Sequence, residues 1–462
     1  MTSTFKYSFM NKGYSRLLKK NIKNDTLHGM KTEAEKLMDF IDASPSMFHA
    51  VENAATYLRQ CGFTELHEGE RFELQAHGKY FVNKNSCAVI AWQNGSDIRS
   101  GFRVIGSHVD SPTFKIKPNP EMEVFGHYVK LNTEVYGGAI LSSWFDRPLS
   151  VAGRIFVEGN STFEPKQILI DIPQPVLVIP NLAIHMNRDV NDGYKYNKQK
   201  DTLPLFTVTT GKKPEKNAFM HVIAEQAKVK PEEILSYDLF LNDCTPSTFI
   251  GANKEFFLAG KIDNLGMAFA SLEALAHAPE TPAGKMICLF NNEEVGSATA
   301  AGAGSSFFAD TLKRIAFCEA EKRGEKNGFE FFQQMLHNSF LISADQAHAA
   351  HPNYADKNDV TTFPIINGGP AVKSAASMSY TSEANTVAVF KKLCKDAGVP
   401  CQDFVNRSDM RGGSTIGPIT MQNLHIKSVD IGNPIFAMHS VRELGGSFDQ
   451  EAVCKVFQKF FC

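Results

Sequence analysis

Met286-Ile-Cys-Leu-Phe290-Asn-Asn-Glu293-Glu294-Val-Gly-Ser297 is an apolar run of strand length that ends in two adjacent glutamates. Continuous apolarity without alternation describes a strand covered on both faces. Upstream, Leu265, Phe269, Leu272 and Leu275 recur at helical spacing. Downstream, Phe340 to Ser343 is a second buried-strand run, and Val387, Phe390 and Leu393 mark a helix that closes near Gly398. Helices interleaved with short apolar strands predict an α/β sandwich around a buried sheet.

The texture changes on either side of this region. From about Pro112 to Gly251, prolines and glycines separate short apolar runs such as Ile168 to Ile172 and Val176 to Ile179, which predicts a mostly β segment. A basic stretch from Tyr194 to Lys200 and on to Lys216 reads as an exposed loop. Before it, Ala88 to Trp92 and Phe102 to Ile105 read as strands. Leu37, Met38, Phe40 and Ile41 line one side of a helix that stops at Ser44-Pro45. That pair reads as the cap and first turn of a second helix carrying Phe48, Val51, Ala55 and Leu58, with Gly62 closing it. At 462 residues the chain exceeds one ordinary core, so two structural units are expected, one of them an insertion. Residues 1–29 carry six lysines and arginines against Asp25 alone; they read as a basic, flexible extension or a stretch ahead of a natural start at Met30, with a transit peptide as the other reading.

Composition excludes several classes of function. The net charge of −2 points to neither nucleic acid nor an anionic membrane. No apolar run reaches the roughly 20 residues a membrane helix needs. Nine scattered cysteines without a Cys-x-x-Cys pair argue for a reducing, cytoplasmic setting and against a thiolate zinc site.

Five short segments place a carboxylate or imidazole after a strand-like run or before a helix, where α/β sheets keep their sites. They are His108-Val-Asp110, Asp263-Asn264, Glu293-Glu294, Asp345-Gln-Ala-His348-Ala-Ala-His351, and His439-Ser-Val-Arg442-Glu443. Each has a bland reading: His-x-Asp as a turn, Asp263 as a helix cap, the glutamate pair as an exposed turn, His351 as part of a polar loop, His439 as a core histidine. As a set they supply imidazole and carboxylate without thiolate, which suits zinc and also manganese or cobalt. One glutamate of the adjacent pair can bind metal while its neighbour acts as a base.

The segments occur in the order and setting of the aspartyl aminopeptidase family of dinuclear zinc metallopeptidases. Ser408-Asp-Met-Arg-Gly-Gly-Ser-Thr-Ile-Gly-Pro418 and Ser428-Val-Asp-Ile-Gly-Asn-Pro434 are also similar to runs in that family. The resemblance spans Met30 to the C-terminus. It implies a three-layer α/β/α catalytic domain formed by residues 30–111 and 252–462, with 112–251 inserted as a β-rich oligomerisation domain. It implies two zinc ions per subunit, held by His108, Asp345, Glu294 and His439 and bridged by Asp263. Asp110 would orient His108 and Glu293 would be the general base. His185 would reach the site of a neighbouring subunit, and His348, Lys373 and Tyr380 would contact a peptide with a free amino terminus. Family members assemble into dodecamers. The stretch Lys373-Ser-Ala-Ala-Ser-Met-Ser-Tyr380 departs from the Asn-rich family version, so a preference for neutral rather than acidic first residues stays open, as does a non-catalytic assembly role. Retention of both Glu293 and Glu294 argues against the latter.

Overall fold

The computed structural model describes residues 31–209, 217–410 and 412–462. The basic segment 1–29 and the far end of the basic loop lie outside them. The strand Gly284–Phe290 is buried at every position. It sits in a nine-stranded sheet ordered Thr64–Glu65, Lys79–Lys84, Ala88–Gln93, Gly284–Phe290, Phe102–His108, Phe340–Ala344, Lys427–Gly432, Ala371–Lys373, Gln402–Phe404. The four strands from Gly284–Phe290 to Lys427–Gly432 run parallel. Their neighbours Ala88–Gln93 and Ala371–Lys373 run antiparallel to them.

The register shows why these strands are apolar throughout. Phe290 lies opposite His108, and Phe340 lies opposite Arg103 on the same strand. Five residues separate those positions, so the two phenylalanines point to opposite faces. Phe290 meets Phe308 of helix Phe307–Lys322, and Phe340 meets Phe460 of helix Ser447–Phe460. Helices therefore cover both faces, giving three layers. Helix Ile262–Ala276 is buried at every position except Glu273. A helix apolar all round belongs inside a core, and it lies between the sheet and the helices Glu33–Asp42 and Ser447–Phe460.

The cap of the second helix differs from the expectation drawn at Ser44-Pro45. Helix Met47–Gln60 is preceded by Ser46 in an extended conformation, and Pro45 lies before that residue. The Ser46 hydroxyl is taken by His49 Nδ1 at 2.8 Å instead of a backbone N–H. Gly62, at φ +83°, closes the other end as expected.

Only four residues separate the end of strand Phe102–His108 from the start of Thr113–Val124, which belongs to a second sheet. This sheet is antiparallel and ordered Glu164–Asp171, Leu149–Ser161, Ser236–Asp243, Thr113–Val124, Tyr128–Tyr136, Leu205–Val208. Phe114, Leu131, Trp144, Val151, Ile170 and Leu239 form its own apolar core. A helix, Ala218–Ala227, packs on it within the segment expected to be mostly β. Val176 to Ile179 makes isolated bridges and no full strand. A small third sheet pairs Phe256–Ala259 with Glu443–Gly446 and sets Ala259 opposite Glu443. Among the described residues no helix is long and apolar enough to cross a membrane.

Candidate metal centre

The carboxyl ends of the parallel strands converge. His108 is the last residue of its strand, Asp345 follows Phe340–Ala344 directly, and Glu293 and Glu294 form a short turn just beyond Phe290. Asp263 enters at the head of the buried helix. It is no cap: Asp263 and Asn264 have non-helical backbone angles and are joined by a cis peptide bond. His439 comes from the loop before the third sheet.

His108 Nε2 lies 3.5 Å from Asp263 Oδ1 and 3.6 Å from Asp345 Oδ1. His439 Nε2 lies 3.5 Å from Asp263 Oδ2 and 3.4 Å from Glu294 Oε2. One carboxylate thus presents a different oxygen to each of two His–carboxylate groups. Candidate ligand atoms of His108, Asp263 and Asp345, of Asp263, Glu294 and His439, and of His108, Glu293 and Glu294 lie within 4.8 Å of one another in each group. Asp263 Oδ1 and the other Glu294 oxygen, Oε1, are buried without a hydrogen-bond partner among the described residues. Orphaned buried carboxylate oxygens are costly unless a cation meets them. The donor set, imidazole and carboxylate only, fits zinc.

Behind the candidate ligands stands a layer of orienting groups. Asp110 is fully buried. Its Oδ1 accepts the Glu293 N–H at 3.1 Å, and its Oδ2 accepts the Glu294 N–H at 3.2 Å and the Tyr136 hydroxyl at 2.7 Å. It also sits 3.4 Å from His108 Nδ1, which leaves Nε2 to face the carboxylates. Glu443 plays the same part on the other side: Oε2 accepts the Asp263 N–H at 2.9 Å and Oε1 the His439 N–H at 2.7 Å. Neither Tyr136 nor Glu443 was assigned a role from sequence. Glu443 was visible as the residue after Arg442, but nothing in the sequence says which backbone N–H it will meet.

Glycines make room where these groups crowd. A Cβ on Gly432 would lie 2.0 Å from the Asp345 carbonyl oxygen. Asn292 and His439 take left-handed backbone, at φ 60° and 68°. Such conformations cost about 1–3 kcal/mol each and cluster at functional sites.

Crowded negative charge shifts the titrations. Burial, reinforced by Asp345, Asp263 and Asp110 and opposed by His108, pushes Glu293 up to about 7. Burial and Asp263 push Glu294 up to about 9. Burial opposes a charged His108, but Asp110, Asp263 and Asp345 outweigh it and hold the imidazole well above its ordinary value. His439 is raised to about 9: burial again opposes, and Asp263 and Glu294 prevail.

Beside Asp345 lies a second group of expected site residues. Lys373 is buried, with Nζ 3.6 Å from Asp345 Oδ2, 2.8 Å from the Gln346 carbonyl and 5.5 Å from the Tyr380 ring centroid. Burial works against this ammonium, yet Asp345 and other nearby acids keep it raised and charged. Phe404 packs between the rings of Tyr380 and exposed His348. His351 sits apart, stacked near Tyr354 and Phe436. His185 lies on the exposed turn Ile184–Met186, and among the described residues no hydrogen bond or ion pair joins it to the cluster.

The family profile for the Aminopeptidase I zinc metalloproteases (M18) matches residues 40–461. This chain belongs to the M18 family. A probable M18 family aminopeptidase 2 of Clostridium acetobutylicum is 49% identical over 437 residues, covering 94% of this chain and all of the relative. Its counterpart in Ectopseudomonas mendocina is 39% identical over 431 residues, covering 92% and 97%. Among solved structures, that of the Ape4 and Nbr1 complex has 33% identity and a TM-score of 0.87, covering 94% of this chain and 87% of that one. The S. cerevesiae mApe1 dodecamer has 26% identity and a TM-score of 0.79, covering 93% and 96%. As an M18 aminopeptidase the protein is a zinc metalloprotease, a hydrolase acting on the amino-terminal residues of peptides.

Proposed function

We propose that this M18 enzyme releases amino-terminal residues, acidic ones by preference, through a centre of two metal ions bridged by Asp263. The observation that carries this reading is the pair of Asp263 oxygens, each facing a different histidine and a different second carboxylate. His108 and Asp345 would hold one ion, Glu294 and His439 the other. Two zinc ions in these positions, or manganese or cobalt, would polarise the scissile carbonyl and make water acidic enough to attack near neutrality.

The protein's own groups do the rest. Glu293, next to a ligand in sequence but not needed as one, takes a proton from the attacking water and returns it to the leaving amine. Asp110 fixes the glutamate pair by their backbone N–H groups, so base and ligand keep a constant spacing. The substrate's free α-amine would bind at a metal or a carboxylate, which restricts cleavage to the first peptide bond. Lys373 is a permanent positive charge beside Asp345, with Tyr380 and His348 completing the wall around it. Where this ammonium faces the pocket for the first side chain, it supplies the positive charge that selects Asp or Glu there.

Residues 112–251 act as the oligomerisation domain and the subunits assemble as a dodecamer, as the mApe1 relative does. The exposed apolar side chains Leu182, Ile184 and Met186 around His185 support this, since such a patch is normally covered. In the assembly His185 stabilises the developing oxyanion of a neighbour's site. All nine cysteines are free, which supports a reducing, cytoplasmic location.

The test is hydrolysis of short peptides beginning with Asp, Glu, Leu or Lys, before and after chelation and with zinc restored. Chelator-sensitive release of Asp and Glu is expected. Release of Leu alone would remove the acidic pocket but keep the metallopeptidase, and no release from any peptide would defeat the reading.

A further inference from the structure

At the edge of the nine-stranded sheet, Ala371–Lys373 and Gln402–Phe404 run parallel, with Lys373 level with Phe404. A loop leaves each of these strand ends. The first carries Tyr380, whose ring neighbours Lys373 Nζ and Phe404. The second ends at Thr415, the residue before helix Ile416–Met421. Neither loop forms a strand among the described residues. The bond between them, from Ser414 Oγ to the Ser379 carbonyl, is long at 3.4 Å. The loop that presents Tyr380 therefore needs another anchor.

Asp430 supplies it. It lies within Lys427–Gly432, the strand next to Ala371–Lys373, and is fully buried. Its Oδ2 accepts the Thr381 N–H at 2.6 Å and the Thr381 hydroxyl at 2.8 Å. Its Oδ1 accepts the Thr415 hydroxyl at 2.6 Å. Each loop thus has its own oxygen, and Thr381 directly follows Tyr380. Hydrogen bonds to an ionised carboxylate are short and roughly twice as strong as neutral ones. The Asp430 N–H goes to the Ser382 hydroxyl at 3.0 Å, again on the Tyr380 side. Gly417 leaves the room: a Cβ there would stand 2.7 Å from Oδ2 and 2.8 Å from Oδ1. The antiparallel register sets Gly432 opposite Ala371 and Ile431 opposite Val372, so one step further Lys373 comes level with Asp430. Burial works against the Lys373 ammonium, and Asp430 is one of the acids, after Asp345, that offset it. None of these hydrogen-bond partners is a candidate metal ligand.

We propose that Asp430 is a positioning residue for the substrate's first side chain: its two oxygens clamp the loop behind Tyr380 to the loop that ends at Thr415, and so hold the wall around Lys373 at a fixed width. The inference rests on the reading of Lys373, Tyr380 and His348 as the wall of that pocket. Asp430 touches no substrate and acts through Tyr380. A loosened wall weakens binding of the first side chain equally before and in the transition state, which raises KM and leaves kcat in place.

The experiment compares Thr415→Val, Thr415→Ser and Asp430→Ala in the zinc-loaded enzyme, on peptides beginning with Asp and with Leu. Thr415 makes no side-chain cap bond to its helix, so valine removes the hydroxyl held by Asp430 and no cap. Thr415→Val should raise KM for the Asp peptide about tenfold or more, with kcat within about twofold and zinc content full. The Leu peptide should change by less than about threefold, because the wall around Lys373 matters most to a charged side chain. Thr415→Ser restores the hydroxyl and should restore the parent's KM. Asp430→Ala should shift the same ratio further; if it does not fold, the Thr415 pair decides. An unchanged KM in Thr415→Val, equal losses on both peptides, loss of zinc, or a serine variant that fails to recover would each overturn the proposal. Lys373→Met is measured alongside. If it leaves the Asp-to-Leu ratio of kcat/KM unaltered, the pocket reading fails and this inference falls with it. If it changes that ratio while Thr415→Val does not, only the role of Asp430 is lost.

Discussion

Glu443 Oε2 accepts the backbone N–H of Asp263 at 2.9 Å, across 180 residues of chain. The same carboxylate, through Oε1, holds the His439 N–H at 2.7 Å. It is buried, and burial with Asp263 pushes it up to about 8. A carboxylate in this position fixes the spacing between the bridging aspartate and one histidine. Glu443→Gln offers one acceptor where the backbone needs two and should lower metal affinity about 10–100-fold, the usual cost of losing an orienting partner. Zinc retention against a graded chelator measures it. Unchanged retention would show that Asp263 and His439 hold their places without Glu443.

Glu293 differs from Glu294 in what it faces. Glu294 Oε2 is 3.4 Å from His439, whereas Glu293 has no histidine within ion-pair distance among the described residues, although its carboxylate lies within 4.8 Å of candidate ligand atoms of His108 and Glu294. Glu293→Gln should therefore keep its metal and lose about 10²–10⁴-fold in kcat. Metal content by elemental analysis and turnover on one peptide distinguish the roles. A variant that lost its metal would make Glu293 a ligand.

Much of this architecture is legible in the chain because burial writes itself into composition. Met286 to Phe290 and Phe340 to Ser343 are apolar at every position because helices cover both faces, and the sheet's central strands follow from that. The candidate centre is legible as residue types at strand ends. What the chain does not disclose is pairing at a distance. Tyr136 closes an ordinary alternating strand, and Glu443 opens one. Their meaning comes from the backbone N–H or carboxylate each reaches. The helix Ala218–Ala227 was hidden for another reason, since its cap Asn217 takes a left-handed conformation and makes no side-chain cap bond. Ser46 was passed over as a cap because Pro45 drew the boundary one residue pair too early.

Gly432 ends the strand Lys427–Gly432 beside the backbone of Asp345. A methyl group there would stand 2.0 Å from the Asp345 carbonyl oxygen and 2.7 Å from the Ala347 nitrogen. Both are backbone atoms and cannot rotate aside. Gly432→Ala should cost about 1–3 kcal/mol, the range for overpacking, and should move Asp345 off its histidine. Loss of zinc together with a lower Tm is expected. A lower Tm with full metal and activity would place the strain elsewhere.

His185 is exposed and has no polar contact with its own subunit's cluster. His185→Ala should leave Tm unchanged, since exposed substitutions usually stay within about 0.5 kcal/mol. If a neighbour's site uses the imidazole, kcat should fall about 10²–10³-fold, the scale for removing one oxyanion donor, while the oligomer stays assembled by light scattering. Retained turnover in an intact oligomer would end the shared-site reading.

Acid stability should depend on His49, far in sequence from the candidate ligands. Its Nδ1 meets the Ser46 hydroxyl at 2.8 Å. Burial first, and the Lys261 ammonium second, depress it to about 4. The folded protein thus binds fewer protons here than the unfolded chain, whose histidines titrate near 6.5. Stability must then rise with pH across this interval. His49's contribution is complete above about 6.5 and is lost as pH falls towards 4. Lys261 reinforces the effect, because a second cation beside it is unfavourable. His49→Gln keeps a hydrogen-bonding group for Ser46 and removes the titration. Urea midpoints measured between pH 4 and 7 should fall more gently in this variant than in the parent, and the two curves should run parallel above pH 7. Parallel curves through the whole range would mean that His49 gains its proton without resisting it, and that the acid sensitivity arises in the carboxylate cluster instead.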